Sequence, residues 1–379
     1  DPIGLTVDAR HLNKHITYAS DPFDPVPNAI SAKSLAFPLG MAFTADGSHL
    51  LSASRDGTLR WWNLSHVDPP DALNVTSNSV TSMTVSPDGA VIAAGTDDGT
   101  VAVFEQHSRQ RIASVSTGDT HLRALNFSPD GRSLVLAGAS GNVQIWDTST
   151  WTRFRSLDAH EKYATSTAWS RDGALFATGA LDGSIAVWNF SDGRRVSLFH
   201  GHDGGSYDLE WMPDGRRLLS CGGDGLVRAW DAESGACLMT LETHSTGIWN
   251  LALRPATSEL WTAGEDAAIR AWNLDQPEQP PRLVLGHNGP VYCLAFNSDG
   301  SRLVTGGFDN LVKLWEPDSG QEILTMRGHI FAVTSVRFSP DGTWIASSND
   351  DGTVRLWASE SSAASGRTSS SDDHPRTFP

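Results

Sequence analysis

Residues of the three types that form a hydrolytic triad, a hydroxyl residue, His and Asp, occur together repeatedly in this chain of 379 residues. In such a triad a histidine takes the proton of a serine hydroxyl and an aspartate orients the histidine. A catalytic site is normally unique, whereas this combination occurs five times, each time with a Trp attached. The repetition favours a structural role, and we predict that the protein is not an enzyme.

The aspartates and cysteines do not follow the spacing of a metal site. The recurring Asp residues lie in separate repeats, and none forms an Asp-x-Asp-x-Asp calcium loop. Cys221, Cys237 and Cys293 follow no repeat position and include no Cys-x-x-Cys pair. There is also no Gly-x-Gly-x-x-Gly or phosphate loop. We therefore expect no metal, no cofactor and no disulfide framework, and a reducing, cytoplasmic location.

A bulky aromatic residue recurs at nearly fixed spacing along the chain. The spacing is 42 residues with one step of 43, and the residues are Trp62, Phe104, Trp146, Trp188, Trp230, Trp272, Trp315 and Trp357. A repeat of roughly 40–45 residues with about four strands is typical of a propeller blade. The sequence therefore predicts an all-β, eight-bladed β-propeller with four-stranded antiparallel blades. Seven blades remain an alternative if the second or third repeat does not form one.

Turn residues divide each repeat into strands. A Ser-Pro-Asp-Gly turn occupies residues 86–89, 128–131 and 339–342, and an Asp-Gly pair recurs in a later turn of five repeats. Pro presets one turn dihedral angle and Gly accepts positive φ, while Asp-Gly between alternating strands is a strong hairpin signal. These turns predict the two inner hairpins of each blade.

The repeats define one propeller domain over residues 27–358, with an N-terminal extension at 1–26 and a Ser-rich tail at 359–379 that we expect to be disordered. No strand pattern follows Trp357, so the last blade lacks its outer strand, and an unpaired edge promotes aggregation. We therefore predict that a segment within residues 1–34 supplies the closing strand, with several candidate segments left open.

The charge of the chain restricts its partners. There are 28 Lys and Arg residues against 44 Asp and Glu residues, a formal net charge of −16. This charge repels phosphate backbones and anionic lipids, and no apolar run approaches the ~20 residues of a membrane span. We expect no nucleic-acid partner, no membrane partner and a monomeric state for the isolated domain.

Short motifs within the repeats point to a known family. Trp-Asp occurs at 146–147 and 230–231, and Gly-His occurs at 201–202, 286–287 and 328–329. With these motifs the sequence resembles the WD-repeat family of β-propellers over about residues 28–358. The resemblance implies a buried hydrogen-bonded chain of Trp, hydroxyl, Asp and His in each complete blade. The five complete sets are His160/Thr178/Asp182/Trp188, His202/Ser220/Asp224/Trp230, His244/Thr262/Asp266/Trp272, His287/Thr305/Asp309/Trp315 and His329/Ser347/Asp351/Trp357.

Residue chemistry agrees with that implied role. A buried Trp needs an acceptor for its N–H, a hydroxyl can accept that bond and donate one to imidazole, and Asp can accept the other imidazole proton. The first three repeats keep only part of the set, because the first has Ser34 in place of His, the second keeps only Asp98 and the third keeps only Trp146. We expect those blades to depend mainly on apolar packing and to be locally less stable.

The resemblance also implies a partner-binding surface on the narrower face of the ring, with three positions in each blade. Three of the four tyrosines in the chain fall on these positions, and aromatic residues and Arg are enriched at interfaces. The chain is therefore expected to be a non-catalytic scaffold that binds a peptide or protein with apolar anchors and basic flanks. The predicted binding residues are Phe37, Arg55, His121, Arg123, Tyr163, Leu181, Tyr207, Trp249, Glu265, Tyr292, Phe308 and Asp350.

Two alternatives stay open at this point. The chain begins with Asp rather than Met, and it could be the recognition or regulatory portion of a larger signalling polypeptide, for example one with a kinase or nucleotide-binding domain. The other alternative is an enzyme or small-ligand binder that uses the channel mouth, where His121, Arg123, Glu265 and Asp350 could converge.

Overall fold

The computed structural model describes residues 40–53, 57–64, 71–75, 79–242, 246–349 and 354–358. Within these residues the secondary structure consists of 31 β-strands, β1 to β31. No helix of a length and apolarity suited to crossing a membrane is found in these segments.

The strands form eight antiparallel sheets in which each strand pairs with the next along the chain, and we number these sheets as blades 1 to 8. Blade 1 contains β1 (Met41–Phe43), β2 (His49–Ala53), β3 (Thr58–Asn63) and β4 (Asp71–Asn74), and blade 2 contains β5 (Val80–Val85), β6 (Val91–Thr96), β7 (Thr100–Glu105) and β8 (Arg111–Ser116). Blade 3 contains β9 (Ala124–Phe127), β10 (Ser133–Ala137), β11 (Val143–Asp147) and β12 (Thr152–Leu157), and blade 4 contains β13 (Ala164–Trp169), β14 (Leu175–Ala180), β15 (Ser184–Asn189) and β16 (Arg195–His200).

The second half of the ring repeats this arrangement. Blade 5 contains β17 (Ser206–Trp211), β18 (Arg217–Gly222), β19 (Leu226–Asp231) and β20 (Cys237–Glu242), and blade 6 contains β21 (Ile248–Leu253), β22 (Glu259–Gly264), β23 (Ala268–Asn273) and β24 (Arg282–Leu285). Blade 7 contains β25 (Val291–Phe296), β26 (Leu303–Gly307), β27 (Val312–Glu316) and β28 (Gln321–Met326), and blade 8 contains β29 (Val333–Phe338), β30 (Trp344–Asn349) and β31 (Val354–Ala358).

The eight-bladed prediction is confirmed, and the second and third repeats, which could have failed, each form a four-stranded sheet. Blade 8 has three strands among the described residues. The predicted closing segment within residues 1–34 lies outside the described residues, as does the tail at 359–379. Blades 8 and 1 nevertheless pack against each other, because Leu50 and Trp62 of blade 1 share an apolar cluster with Ala346 and Leu356 of blade 8.

The apolar core lies between neighbouring blades. One cluster joins Leu219 and Val227 of blade 5 to Leu251 and Leu260 of blade 6. The middle strands of each blade are therefore covered on both faces, as in β10, where all five residues are buried. Outer strands such as β8 alternate exposed and half-buried residues instead, because they lie at the perimeter of the ring.

The predicted turns have the geometry that their residues favour. In the first of them the Ser86 hydroxyl donates to Asp88 Oδ1 at 2.5 Å, and Gly89 has φ +73°. The same bond joins Ser128 to Asp130 at 2.6 Å. Gly is needed at the end of this turn because side-chain-bearing residues rarely adopt such a φ.

Candidate functional site

Blades 5 and 7 contain the complete hydrogen-bonded chain. In blade 5, Trp230 Nε1 donates to Ser220 Oγ at 2.8 Å, that hydroxyl bonds His202 Nε2 at 2.7 Å, and His202 Nδ1 bonds Asp224 at 2.9 Å. Blade 7 repeats these bonds at 2.9, 2.8 and 2.9 Å in the set Trp315, Thr305, His287 and Asp309.

The pKa shifts of the Asp and His in this chain are consistent with a structural role. Burial alone would raise the pKa of Asp224, but hydrogen bonds from His202 and Arg228 outweigh burial and hold that pKa at about 2. Burial lowers the pKa of His202, whose side chain is fully buried. Asp224 is therefore ionised and His202 neutral at neutral pH, and the imidazole has no contact with solvent through which a substrate could reach it.

Blade 4 differs from the expected set at its acidic end. Thr178 links Trp188 to His160, but His160 Nδ1 bonds the Ser184 hydroxyl at 2.6 Å and Ser184 in turn donates to Asp182 at 2.5 Å. The expected direct bond from His160 to Asp182 is thus replaced by a relay. The residue equivalent to Ser184 is Leu226 in blade 5 and Leu311 in blade 7. Among these three blades, therefore, only blade 4 has a hydroxyl at this repeat position.

The sets of blades 6 and 8 are described only in part. His244 and Asp351 lie outside the described residues. In blade 8, Trp357 donates to Ser347 at 2.9 Å, and Ser347 bonds His329 at 2.7 Å. In blade 6, Asp266 pairs with Arg270 at 2.8 Å. The Nε1 of Trp272 is buried with no hydrogen-bond partner in the described part of the chain, contrary to the expected bond to Thr262, and nothing in the structure explains this difference.

Blade 3 has a different polar network in place of the expected set. Trp146 Nε1 donates to the Gln144 amide oxygen at 3.2 Å, and the Gln144 amide nitrogen donates to the Thr117 carbonyl at 3.0 Å. Asp119 accepts bonds from the backbone N–H and the hydroxyl of Ser140 at 2.9 and 2.7 Å. The sequence did not predict these polar bonds, which add to the apolar cluster that Leu122, Phe127 and Leu134 form in this blade. In blade 1, Ser52 accepts the Trp62 bond at 2.9 Å.

The narrow-face positions are set by a recurring β-bulge. In six blades the pairing of the first strand with the second shifts register across one residue, and in blades 5, 6 and 7 that residue is one of the predicted binding residues. A bulge bends the strand and changes the direction of a side chain. The bulged residues are Thr81, Thr165, Tyr207, Trp249, Tyr292 and Thr334.

The bulged residues divide the channel mouth into two sectors. Thr81 and Thr165 each donate to a carbonyl of the following blade, to Leu122 at 2.6 Å and to Ser206 at 2.5 Å. In blades 2 and 4, threonine at this position thus links neighbouring blades. Blades 5, 6 and 7 carry Tyr207, Trp249 and Tyr292 instead, and we call these three residues the aromatic sector.

The three rings of the aromatic sector contact one another. Tyr207 and Trp249 are stacked, with ring centroids 5.1 Å apart and an interplanar angle of 8°. Trp249 and Tyr292 meet edge to face at 5.9 Å and 71°. Such arrangements are favourable by ~0.5–1.5 kcal/mol beyond the area they bury. All three rings are half-buried and form a continuous surface.

A cavity of about 290 Å³ lies at the channel beside the aromatic sector. Its lining also includes Arg123, Asp208, Asn250 and Arg337. Asn250 Nδ2 donates to Asp208 at 2.7 Å, and Asn250 Oδ1 accepts from the Leu294 N–H at 2.9 Å, so this polar row joins blades 5, 6 and 7. Close by on β17, burial and the neighbouring Asp208 raise the pKa of Glu210 to about 7.

The other predicted binding residues are placed around this sector. His121 bonds Asp97 at 2.8 Å, and the Arg123 guanidinium lies 5.7 Å from the centre of the Tyr163 ring. Leu181 is half-buried and Glu265 exposed. Glu265 also contributes, after burial, to a raised pKa of Tyr207.

A cluster of exposed apolar side chains lies on the loops of blades 7 and 8. Phe308 is 58% exposed, and Ile330 and Phe331 are 52% and 51% exposed. Asn310 Nδ2 donates to the Ile330 carbonyl at 3.2 Å, which ties the two loops together. Ile330 and Phe331 were missed by the sequence interpretation because they precede the first strand, although the adjacent large apolar pair in a polar loop was a visible signal. Phe37, Arg55 and Asp350 lie outside the described residues.

Comparison with known proteins agrees with this geometry. The WD domain, G-beta repeat family matches residues 35–63, 151–189, 193–231, 279–316 and 320–358. The anaphase-promoting complex subunit 4 WD40 domain family matches residues 83–166. The chain belongs to the WD-repeat family. Propellers of this family are generally non-catalytic and serve as protein-interaction scaffolds.

Three relatives each match a short segment of this WD-repeat chain. A bromodomain and WD repeat-containing protein of Dictyostelium discoideum is 46% identical over 52 residues, which are 14% of this chain and 2% of the relative. Protein tipD of the same organism is 48% identical over 50 residues, 13% of this chain and 8% of tipD. The dynein assembly factor with WD repeat domains 1 of Danio rerio is 40% identical over 48 residues, 13% of this chain and 12% of that protein.

The whole fold is similar to a solved structure. The crystal structure of the computationally designed Ika8 protein superposes with a TM-score of 0.75 and 24% sequence identity. The match covers 84% of this chain and 95% of the designed chain. At this identity the likeness shows the fold alone.

Proposed function

We propose that this propeller is a non-catalytic scaffold that binds a protein or peptide segment on its narrow face through the aromatic sector. The observation that carries the proposal is the exchange of residue type at one bulged position. Where blades 2 and 4 use Thr to bond the next blade, blades 5 to 7 present three rings in mutual contact. Aromatic clusters of this kind are typical of binding hot spots.

The chemistry of the partner follows from the surroundings of the aromatic sector. The rings offer apolar contact area, while the exposed Glu265 and the net charge of −16 favour positive charge in the partner. Complementary charge mainly speeds and orients encounter. The proposed partner segment therefore has apolar or aromatic anchors flanked by Lys or Arg. His121, Arg123, Tyr163, Leu181 and Phe308 would contact the segment outside its basic flanks.

The proposal extends to the cellular context of the protein. All three cysteines are free thiols, which suits a reducing compartment such as the cytoplasm. The acidic net charge makes nucleic acid and anionic membranes poor partners. We propose that the isolated domain is a monomer.

A peptide-display selection on the wild-type protein tests the proposal. The selected peptides should be enriched in aromatic or aliphatic residues next to Lys or Arg. Their binding should be lost in the triple variant Tyr207→Thr, Trp249→Thr, Tyr292→Thr, because Thr is the residue that other blades carry at this position and should leave the bulge intact.

The matched control removes apolar groups elsewhere. Ile112, Phe154 and Leu238 lie on outer strands and are each at least half exposed. A triple variant with Thr at these positions should keep peptide binding. Retention of binding by the aromatic-sector variant, or equal loss in the control, would refute the proposal.

A further inference from the structure

A second cavity lies at the perimeter of the ring, between the outer strands of blades 2 and 3. It has a volume of about 560 Å³ and lies away from the narrow-face channel. Gly118 lines it, at the repeat position where five other blades carry His. A Cβ placed on Gly118 would meet no atom within 4 Å. The lack of an imidazole at this position leaves open space in blade 3.

The buried polar groups of this cavity are already paired with one another. Asp119 accepts two bonds from Ser140 and a third from the backbone N–H of Thr120 at 2.7 Å. Both ends of the Gln144 amide are bonded, to Trp146 and to the Thr117 carbonyl. The inner wall is therefore preorganised without a ligand.

The polar groups at the mouth of the cavity differ from those of the inner wall in their hydrogen bonding. The side chains of Ser116, Asn142 and Ser156 have no hydrogen-bond partner among the described residues, and all three line the cavity. Arg153 donates only to the Thr117 carbonyl, at 3.4 Å, near the limit for a hydrogen bond. Each hydroxyl and the Asn142 amide can both donate and accept.

The charges of the cavity restrict the ligand further. An anion would suit Arg153 but would meet the Asp119 carboxylate, and a cation would suit Asp119 but would meet the Arg153 guanidinium. A neutral ligand with many hydroxyl groups can donate to and accept from the unpaired groups without either repulsion. Its size also fits, because small-ligand sites are typically ~300–1,000 Å³.

We propose that this perimeter cavity of blade 3 is a binding site for a neutral polyhydroxylated ligand of monosaccharide size. Ser116, Asn142, Arg153 and Ser156 form hydrogen bonds with the ligand, and the paired Asp119 and Gln144 hold the inner wall in place. The site is independent of the aromatic sector and of the partner proposed for it.

Titration calorimetry with three sugars of one ring type tests the proposal. Glucose is the neutral probe, glucuronate the anionic one and glucosamine, at pH 6.5, the cationic one. Glucose should bind saturably with a dissociation constant of about 1–10 mM, a range typical of a few exposed hydrogen bonds. The two charged sugars should bind more weakly. In NMR spectra, glucose should shift the Trp146 indole N–H signal and leave the Trp230 signal unchanged.

Two arginine variants locate the site. Arg153→Gln should weaken glucose binding about tenfold, the effect of losing a hydrogen bond to a charged group. Arg155→Gln is the matched control, because Arg155 lies on the same strand but donates to the Phe190 carbonyl of blade 4 at 2.9 Å. Equal weakening in the two variants, tighter binding of a charged sugar, or no saturable glucose binding would overturn the proposal.

Discussion

Asp119 of blade 3 accepts hydrogen bonds from the backbone N–H and the hydroxyl of Ser140, at 2.9 and 2.7 Å. Blade 5 joins the same two loops in the opposite sense, because there His202 on the first loop bonds Asp224 on the turn at 2.9 Å. In blade 3 the carboxylate lies on the loop before the first strand, whereas in blade 5 it lies on the turn between the second and third strands. Both blades keep a hydrogen bond between this loop and this turn. Blades 3 and 5 therefore join the same loop and turn with different residues, and only blade 5 uses a His for this.

The Asp119 link should be important for the stability of blade 3. Asp119→Ala removes the acceptor of three part-buried hydrogen bonds, two from Ser140 and one from Thr120, so the free energy of unfolding should fall by about 1–3 kcal/mol. Urea unfolding followed by Trp fluorescence measures this change. Asp203→Ala is the control, since Asp203 occupies the same repeat position in blade 5 but is highly exposed and bonds only His200. A similar loss in both variants would show that the link has no special role.

The low pKa of Asp224 predicts an acid-dependent loss of stability. Its pKa falls from 3.8 in the unfolded chain to about 2 in the fold, so its ionisation stabilises the fold above pH 3.8 and that contribution disappears as the pH falls towards 2. The difference amounts to about 2 kcal/mol. The free energy of unfolding of wild type minus Asp224→Asn should therefore shrink between pH 4 and pH 2. A difference that stays constant over this range would contradict the assignment.

The buried histidines predict a second loss of stability, which occurs at less acidic pH. Burial lowers the pKa of His160 from 6.5 to about 4 and that of His329 to about 3. Below pH 6.5 the unfolded chain binds protons that the fold does not, so stability is lost as the pH falls from 6.5 to these values. Each histidine should contribute about 1.4 kcal/mol per pH unit. His160→Gln should reduce the slope of the unfolding free energy against pH by about 1.4 kcal/mol per pH unit between pH 6 and 4, as measured by urea unfolding at several pH values.

Much of the fold could be predicted from the sequence because its determinants are local. The aromatic spacing defines the blade number, and the Ser-Pro-Asp-Gly turns define the first hairpin, as in the bond from Ser86 to Asp88. The wedge-shaped packing then follows, since each blade repeats the same buried faces. These features need no information about which distant residues meet.

The site could be predicted only in outline because its details depend on contacts between repeats. The relay through Ser184 and the exchanged carboxylate of Asp119 arise from which side chains meet across a loop, and neither is fixed by the spacing of residues in one repeat. The bulge that places Tyr207 and Trp249 is a property of strand register, which the alternation of residues does not reveal. In blade 3 a signal was present, because Asp119 follows directly after the missing His and Ser140 stands where the turn Asp is expected.

Trp249 should be the residue of the aromatic sector on which partner binding depends most. It is the only one of the three that contacts both others, at 5.1 and 5.9 Å, and central, well-packed residues dominate binding energy. Trp249→Thr should weaken a peptide selected on the wild-type protein by about 2 kcal/mol or more, roughly 30-fold. Phe308→Thr, at the exposed end of the surface, should have a smaller effect. Calorimetry on the two variants compares them, with thermal unfolding as the check that both are folded, and a larger loss for Phe308→Thr would move the centre of the binding surface to the loops of blades 7 and 8.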